Sequence, residues 1–202
     1  MESQNTGTMG WIKLGRDLLL RTPIFSVFRE PHRHNGLHVE VPFLVLEGAD
    51  WVNILAVDQP SVRSPGARML WVRQYRVGNQ RVTRELPGGG CSGSDGDPRL
   101  SAERELLEET GARAARWVKL GDLNPNPALF RNRYHVYLAL DCRIDPTAVL
   151  GDGSEDLEVE WINFADRYKP LLDASSDHAL IAASLALLEA RLASDDDIGR
   201  SL

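Results

Sequence analysis

No apolar run in this chain approaches the roughly 18 residues that a membrane-spanning helix requires, so no helical span is expected. Cysteine is scarce. Cys91 and Cys142 are the only two, too few for a disulfide framework, and they are expected to be reduced thiols. Positive charge is not in excess either: 23 Lys and Arg stand against 29 Asp and Glu, a net charge of −6. That balance argues against a nucleic-acid coat, whose phosphate contacts need a basic face, and against a polybasic membrane-surface protein. The polar first ten residues lack the basic start and apolar core of a secretory leader, so the expected location is cytoplasmic. No internal repeat is visible.

What is present is a 202-residue chain, 43% hydrophobic and 26% charged, which suits one globular domain with a small appendage. After a polar tail, Leu18 to Phe28 reads as one or two strands broken at Pro23. The segment around PHRHNG, Glu30 to Gly36, reads as a loop. Strands are expected over 37–46, 51–58, 67–75 and 82–86 from their alternation and β-branched content. Residues 87–98 read as a Gly, Ser and Asp loop. Asp97 followed by Pro98 suits an N-cap and first helical turn, and Gly111 suits a helix stop, which bounds a helix ending at Thr110. Strands over 115–121, 133–141 and 157–164, an acidic loop over 145–155 and a helix over 178–192 complete the pattern. Strands dominate, with one central and one terminal helix, which points to an α+β fold, an α/β/α sandwich on a mixed sheet.

The segment from Glu85 to Ala112, ELPGGGCSGSDGDPRLSAERELLEETGA, carries the chemistry. Glu105 and Glu109 are four apart on the expected helix and Glu108 is three from Glu105, so the carboxylates are neighbours. Like charges so placed destabilise an isolated helix, whereas a hard divalent cation turns the repulsion into coordination. Arg104, four before Glu108, is placed to hold one carboxylate. Gly88, Gly89 and Gly90 before the helix allow close backbone approach, presenting carbonyls to a metal or amides to phosphate.

RELLEETGA, 104–112, with PGGG, 87–90, resembles the signature box of the Nudix hydrolases. One position departs. The family usually carries a loop glutamate, and here Asp95 or Gly96 stands in its place, according to the direction of counting. The resemblance implies hydrolysis of a nucleoside diphosphate linked to another group, with Mg²⁺ or Mn²⁺. Glu105 and Glu109 would be the main metal ligands. Glu108 would be a further ligand or would orient one, the carbonyl of Gly89 or Gly88 would complete the set, and Arg104 would orient a glutamate.

Three stretches resemble the ADP-ribose and nucleotide-sugar pyrophosphatase branch. VRQYR, 72–76, implies that Arg76 meets substrate phosphates; Arg73 is also available, although alternation puts it on the opposite strand face. NPNPALF, 124–130, places Pro127 where ADP-ribose hydrolases tend to carry a proline. GDGSEDLEVEW, 151–161, implies a loop general base, assigned to Glu155 with Asp156 and Glu158 as alternatives. Trp51 is a candidate for stacking on a nucleobase, with burial in the core as the more ordinary expectation. His32, His34 and His38 share no regular element and are not expected to bind metal. His135 is expected to be structural, and His178 a surface residue at a helix start.

The organisation expected is a tail and small β extension over 1–46, a Nudix domain over 47–194 and a disordered tail over 195–202. The branch resemblance implies a homodimer through the N-terminal extension and a small-molecule nucleotide-sugar substrate, ADP-ribose first, without nucleic-acid or membrane partners. Another nucleotide substrate and a non-catalytic nucleotide-sensing module are the alternatives.

Overall fold

A computed structural model describes residues 9–148 and 156–194. The assignment of Glu155 as general base and most of the acidic loop therefore lie outside the described residues. The fold divides into two compact units, one holding the residues up to Ala49 together with 124–133, the other the remainder.

The first unit is an antiparallel sheet of β1 (Trp11–Lys13), β2 (Asp17–Arg21), β3 (Phe25–His34) and β4 (Val39–Gly48). Its spine is β3, which pairs with β4 along its whole length, with β1 near its end and with β2 near its start. The sequence reads Glu30 to Gly36 as a loop, but the strand runs through to His34. Proline is tolerated there because Pro31 faces Pro42; neither has an N–H, so the two can oppose each other only at a pair that exchanges no hydrogen bond. Glu30, only 2% exposed, is offset by Lys13 at 2.8 Å, Arg16 at 3.3 Å and Arg131 at 2.7 Å. Burial pushes its carboxyl pKa up, and those cations outweigh it and hold the group below the usual range. The segment 124–133 joins this unit where Leu46 N–H donates to the Leu129 carbonyl at 2.9 Å and Arg131 N–H to the Leu46 carbonyl at 2.9 Å.

The second unit contains β5 (Trp51–Ala56), β6 (Arg68–Arg76), β7 (Arg81–Glu85), β8 (Gly88–Gly90), α1 (Pro98–Thr110), β9 (Ala112–Arg113), β10 (Arg116–Leu123), β11 (Tyr134–Leu140), β12 (Arg143–Ile144), β13 (Glu158–Asn163), α2 (Lys169–Leu172) and α3 (Ala179–Leu192). One sheet has the order β10-β11-β5-β8, with β5 and β11 parallel and the other pairs antiparallel, and a second has the order β13-β6-β7. Period-two alternation sends successive side chains to opposite faces. Leu55 and Val57 pack with Leu185 and Leu188 of α3, whereas Val52, Ile54 and Ala56 pack with Ala102 and Leu106 of α1. The same split recurs on β11, where Val136 and Leu138 join the first core and Tyr137 and Ala139 the second. Helices thus cover both faces, the α/β/α layering of an α+β Nudix fold. The helix limits follow the caps: Asp97 accepts from Arg99 N–H at 2.8 Å, and Gly111 closes α1 at φ +69°.

The glycine run is expected as loop but forms β8, antiparallel to β5 with Gly88 opposite Asn53 and Gly90 opposite Trp51. Side-chain size decides this. A Cβ on Gly88 would sit 2.2 Å from the Val52 carbonyl oxygen, so only glycine lets this backbone lie so close to β5.

Candidate active site

Two carboxylates of α1 converge on β8. Glu109, 7% exposed, accepts a hydrogen bond from the Gly88 N–H at 2.8 Å. Glu105 abuts the next residue so closely that a Cβ on Gly89 would lie 2.7 Å from its carboxylate oxygens. Their four-residue spacing puts both on the helix face that meets the strand. Arg104 braces this edge, with its guanidinium 2.9 Å from Glu105 and 2.8 Å from Glu108, and a hydrogen bond to the Gly90 carbonyl at 3.1 Å.

At the position of the family's loop glutamate, Asp95 accepts from the Ser101 hydroxyl at 2.7 Å and lies 3.4 Å from Arg104. The Ser101 hydrogen bond, with Arg104 behind it, holds the Asp95 carboxyl below its usual range. Asp95 therefore ties the loop to the first turns of α1. Gly96, the other position open to that glutamate, is a turn residue with φ +68°.

Glu105, Glu109 and the three glycines line one end of a cavity of about 750 Å³, built from the second unit alone. Trp51 lines it too and is 36% exposed, which corrects the expectation of a core tryptophan. Tyr137 and Trp117 supply the aromatic contact inside the core instead. Arg76 and Glu85 occupy the wall as a bidentate pair, Nε to Oε1 at 2.9 Å and Nη2 to Oε2 at 2.8 Å, and the Thr83 hydroxyl donates to Glu85 at 2.6 Å. Burial pushes the Glu85 carboxyl up, but the hydrogen bonds from Arg76 and Thr83 and the Arg76 charge outweigh it, so the group titrates below the usual carboxylate range.

Other candidates lie elsewhere. Arg73 pairs with Glu158 at 2.5 Å, and neither lines the cavity. Glu108 bonds to Arg104 and is also absent from the lining, and Asp156 is exposed. Pro127 belongs to the first unit, in a turn where the Asn126 carbonyl accepts from Leu129 and Phe130 N–H. His32 and His34 make local hydrogen bonds, the first to the Glu30 carbonyl and the second to the Leu37 N–H. His135 is buried between Asp122 at 2.6 Å and Asp50 at 3.3 Å. His178 does cap a helix, accepting from Leu180 N–H at 3.2 Å, and it lines the cavity. Sequence reasoning assigned no role to Gln74, Glu85, Asn79 or Asp177, all on the cavity wall. Period-two spacing of Gln74 and Arg76 on β6 is the signal that could have found the first.

Among the described residues no three of His, Cys, Asp and Glu form a ready-made cation cage. Two carboxylates beside backbone carbonyls are nonetheless hard oxygen donors, the partial set that suits a divalent cation whose shell is completed by water and substrate phosphate. The crowding of Glu105 against Gly89 keeps that end of the cavity all-oxygen.

The NUDIX domain family matches residues 52–183. The chain is 28% identical over 167 residues to the ADP-ribose pyrophosphatase of Mycobacterium tuberculosis, covering 83% of this chain and 77% of that one. It is 27% identical to the ADP-ribose pyrophosphatase of Bacillus subtilis, covering 62% and 73%, and 29% identical to the CMP-5'-(N-acetyl-N-hydroxy-3-aminopropyl)phosphonate hydrolase of Streptomyces rubellomurinus, covering 73% and 69%. Its fold is shared with a crystal structure described as an ADP compounds hydrolase, with a TM-score of 0.76 at 20% identity over 93% of this chain and 97% of that one. A domain match across more than half of the chain, together with these relatives, makes this protein a Nudix pyrophosphohydrolase of the ADP-ribose pyrophosphatase branch.

Proposed function

We propose that the chain hydrolyses the pyrophosphate bond of a nucleoside diphosphate linked to a sugar, ADP-ribose first, giving nucleoside monophosphate and sugar phosphate in a divalent-metal-dependent reaction. The observation that carries this reading is the meeting of Glu105 and Glu109 with the Gly88–Gly90 backbone at one end of a single cavity. These groups would hold Mg²⁺ or Mn²⁺. A bound cation of this kind supplies positive charge that offsets the charge developing on the pyrophosphate.

The chain's own residues do the rest. The Gly88 N–H fixes one oxygen of Glu109 and so orients the carboxylate. Arg104 fixes the neighbouring edge through Glu105 and Glu108. Arg76, held flat by Glu85, presents its guanidinium along the cavity wall for a phosphate. Trp51, exposed beside Gly90, offers an apolar face to the base. Glu155 takes the proton of the attacking water in this reading, a loop position allowing it to swing in when substrate binds. The N-terminal sheet is the surface on which a homodimer would form.

A second reading, another nucleotide substrate, is favoured by the relative named for a CMP-linked phosphonate. The test is a panel of ADP-ribose, other nucleotide sugars and CMP-linked compounds, with and without Mg²⁺, read as phosphate released after phosphatase coupling. Turnover of ADP-ribose that needs the metal is expected. Preference for a cytidine compound would establish the second reading, and no metal-dependent turnover of any compound would defeat both.

A further inference from the structure

The cavity extends well beyond the carboxylate end, and its far wall has no role in the chemistry above. Gln74 lies there, 8% exposed. No described residue makes a hydrogen bond with its side-chain amide, although it faces Thr83 across the strand pair β6–β7 and shares a strand face with Arg76. Buried amides are rarely left so, because each unmade hydrogen bond keeps its desolvation cost. An amide in this state, on the wall of a cavity, lacks a ligand.

Further along the same wall stand Asn79, Asp177 and His178. The Asn79 amide donates to Asp177 at 2.9 Å, which fixes one carboxylate oxygen. His178 uses Nδ1 to accept from the Leu180 N–H, so its neutral ring carries the proton on Nε2 as a donor. Leu180 adds an apolar surface. The wall therefore combines a carboxylate acceptor, a ring N–H donor, an amide that does both, and a patch of hydrocarbon. Hydroxyl groups that both donate and accept, on a ring with an apolar face, match that set, whereas a second phosphate would be repelled by Asp177.

We infer that the end of the cavity formed by Gln74, Asp177 and His178 is the subsite for the polyhydroxylated sugar attached to the nucleoside diphosphate, with Gln74 and Asp177 as its specificity-determining residues. The inference rests on the proposed pyrophosphohydrolase reading for the direction of the substrate: Arg76 stands between this end and the carboxylates, with the diphosphate alongside it.

Calorimetry in EDTA, where nothing turns over, tests it by comparing ADP-ribose with ADP, which lacks the sugar. The wild-type chain should bind ADP-ribose about tenfold more tightly than ADP, the size of one or two hydrogen bonds to a charged or buried partner. Gln74→Leu and Asp177→Ala, checked for unaltered melting temperature, should each remove most of that preference and leave ADP affinity within twofold. Equal wild-type affinity for the two ligands would overturn the inference, as would variants that weaken both ligands alike. The two readings fail separately. Loss of hydrolysis in the substrate panel with the binding preference intact would defeat the catalytic reading alone, and hydrolysis without any preference would defeat the sugar subsite alone.

Discussion

Gly88 donates its backbone N–H to Glu109 Oε2 at 2.8 Å, joining a helix carboxylate to a three-residue strand of glycines. The bond fixes how α1 meets β8 and leaves the second Glu109 oxygen to point along the strand edge, where Glu105 also lies. A nearly buried carboxylate of this kind needs a positive partner or several donors to stay ionised.

Glu109→Gln should keep the Gly88 hydrogen bond through its amide oxygen and lose only the charge. Metal-dependent turnover is expected to fall by about a hundredfold or more, with the melting temperature within a few degrees of wild type. Steady-state kinetics across a Mg²⁺ titration checks it, and unchanged turnover at saturating metal would remove Glu109 from the metal-binding assignment.

Gly88→Ala should be destabilising, because the new methyl would meet the Val52 carbonyl at 2.2 Å and the Asn53 amide at 2.7 Å. The cost expected is about 1–3 kcal/mol or more from overpacking. Gly90→Ala, where nothing lies within 4 Å of the added atom, should cost much less. Urea unfolding of the two variants side by side provides the comparison, and equal stability would contradict the close packing of β8 on β5.

The Glu85 carboxyl titrates below its ordinary range in the folded protein. A depressed folded value means the charged form is favoured by folding, so its contribution is fully present above the unfolded value, about 4.3, and is lost as pH falls through the folded value. Glu85→Gln should therefore lower stability at neutral pH and flatten the loss of stability between about pH 5 and 3. Thermal melts over that range read the effect; a variant whose acid limb matches wild type would contradict it.

Burial pushes the Cys142 thiol up to about 12, so it stays protonated at neutral pH. Its alkylation by iodoacetamide should be slow in the folded protein and become fast only in denaturant, since the thiolate is the nucleophile. Mass spectrometry of the labelled chain follows both cysteines at once. Rapid native labelling at Cys142 would contradict its burial.

The local sequence already determined a good deal. Asp97, Pro98 and Gly111 delimit α1 through capping chemistry that operates within a few residues, and RELLEETGA places Glu105 and Glu109 on one helix face by periodicity alone. Alternation located the strands from Trp51 onward to within a few residues. Short-range physics does not extend to pairing partners, which is where the reading of segments failed. PHRHNG becomes strand because Pro31 can oppose Pro42 on β4, and the glycine run becomes β8 because β5 is there to receive it.

The tertiary structure alone decided how residues distant in sequence share one cavity wall. Glu85 lies nine residues from Arg76 and binds it because β6 and β7 are antiparallel, which also sets Gln74 opposite Thr83. Asn79 reaches Asp177 across 98 residues, and Trp51 becomes exposed beside Gly90 because β5 pairs with β8. Helix caps and periodicity are written into adjacent residues; the contents of a cavity depend on which strands pair and in what register, and those choices are made by the burial of the whole core.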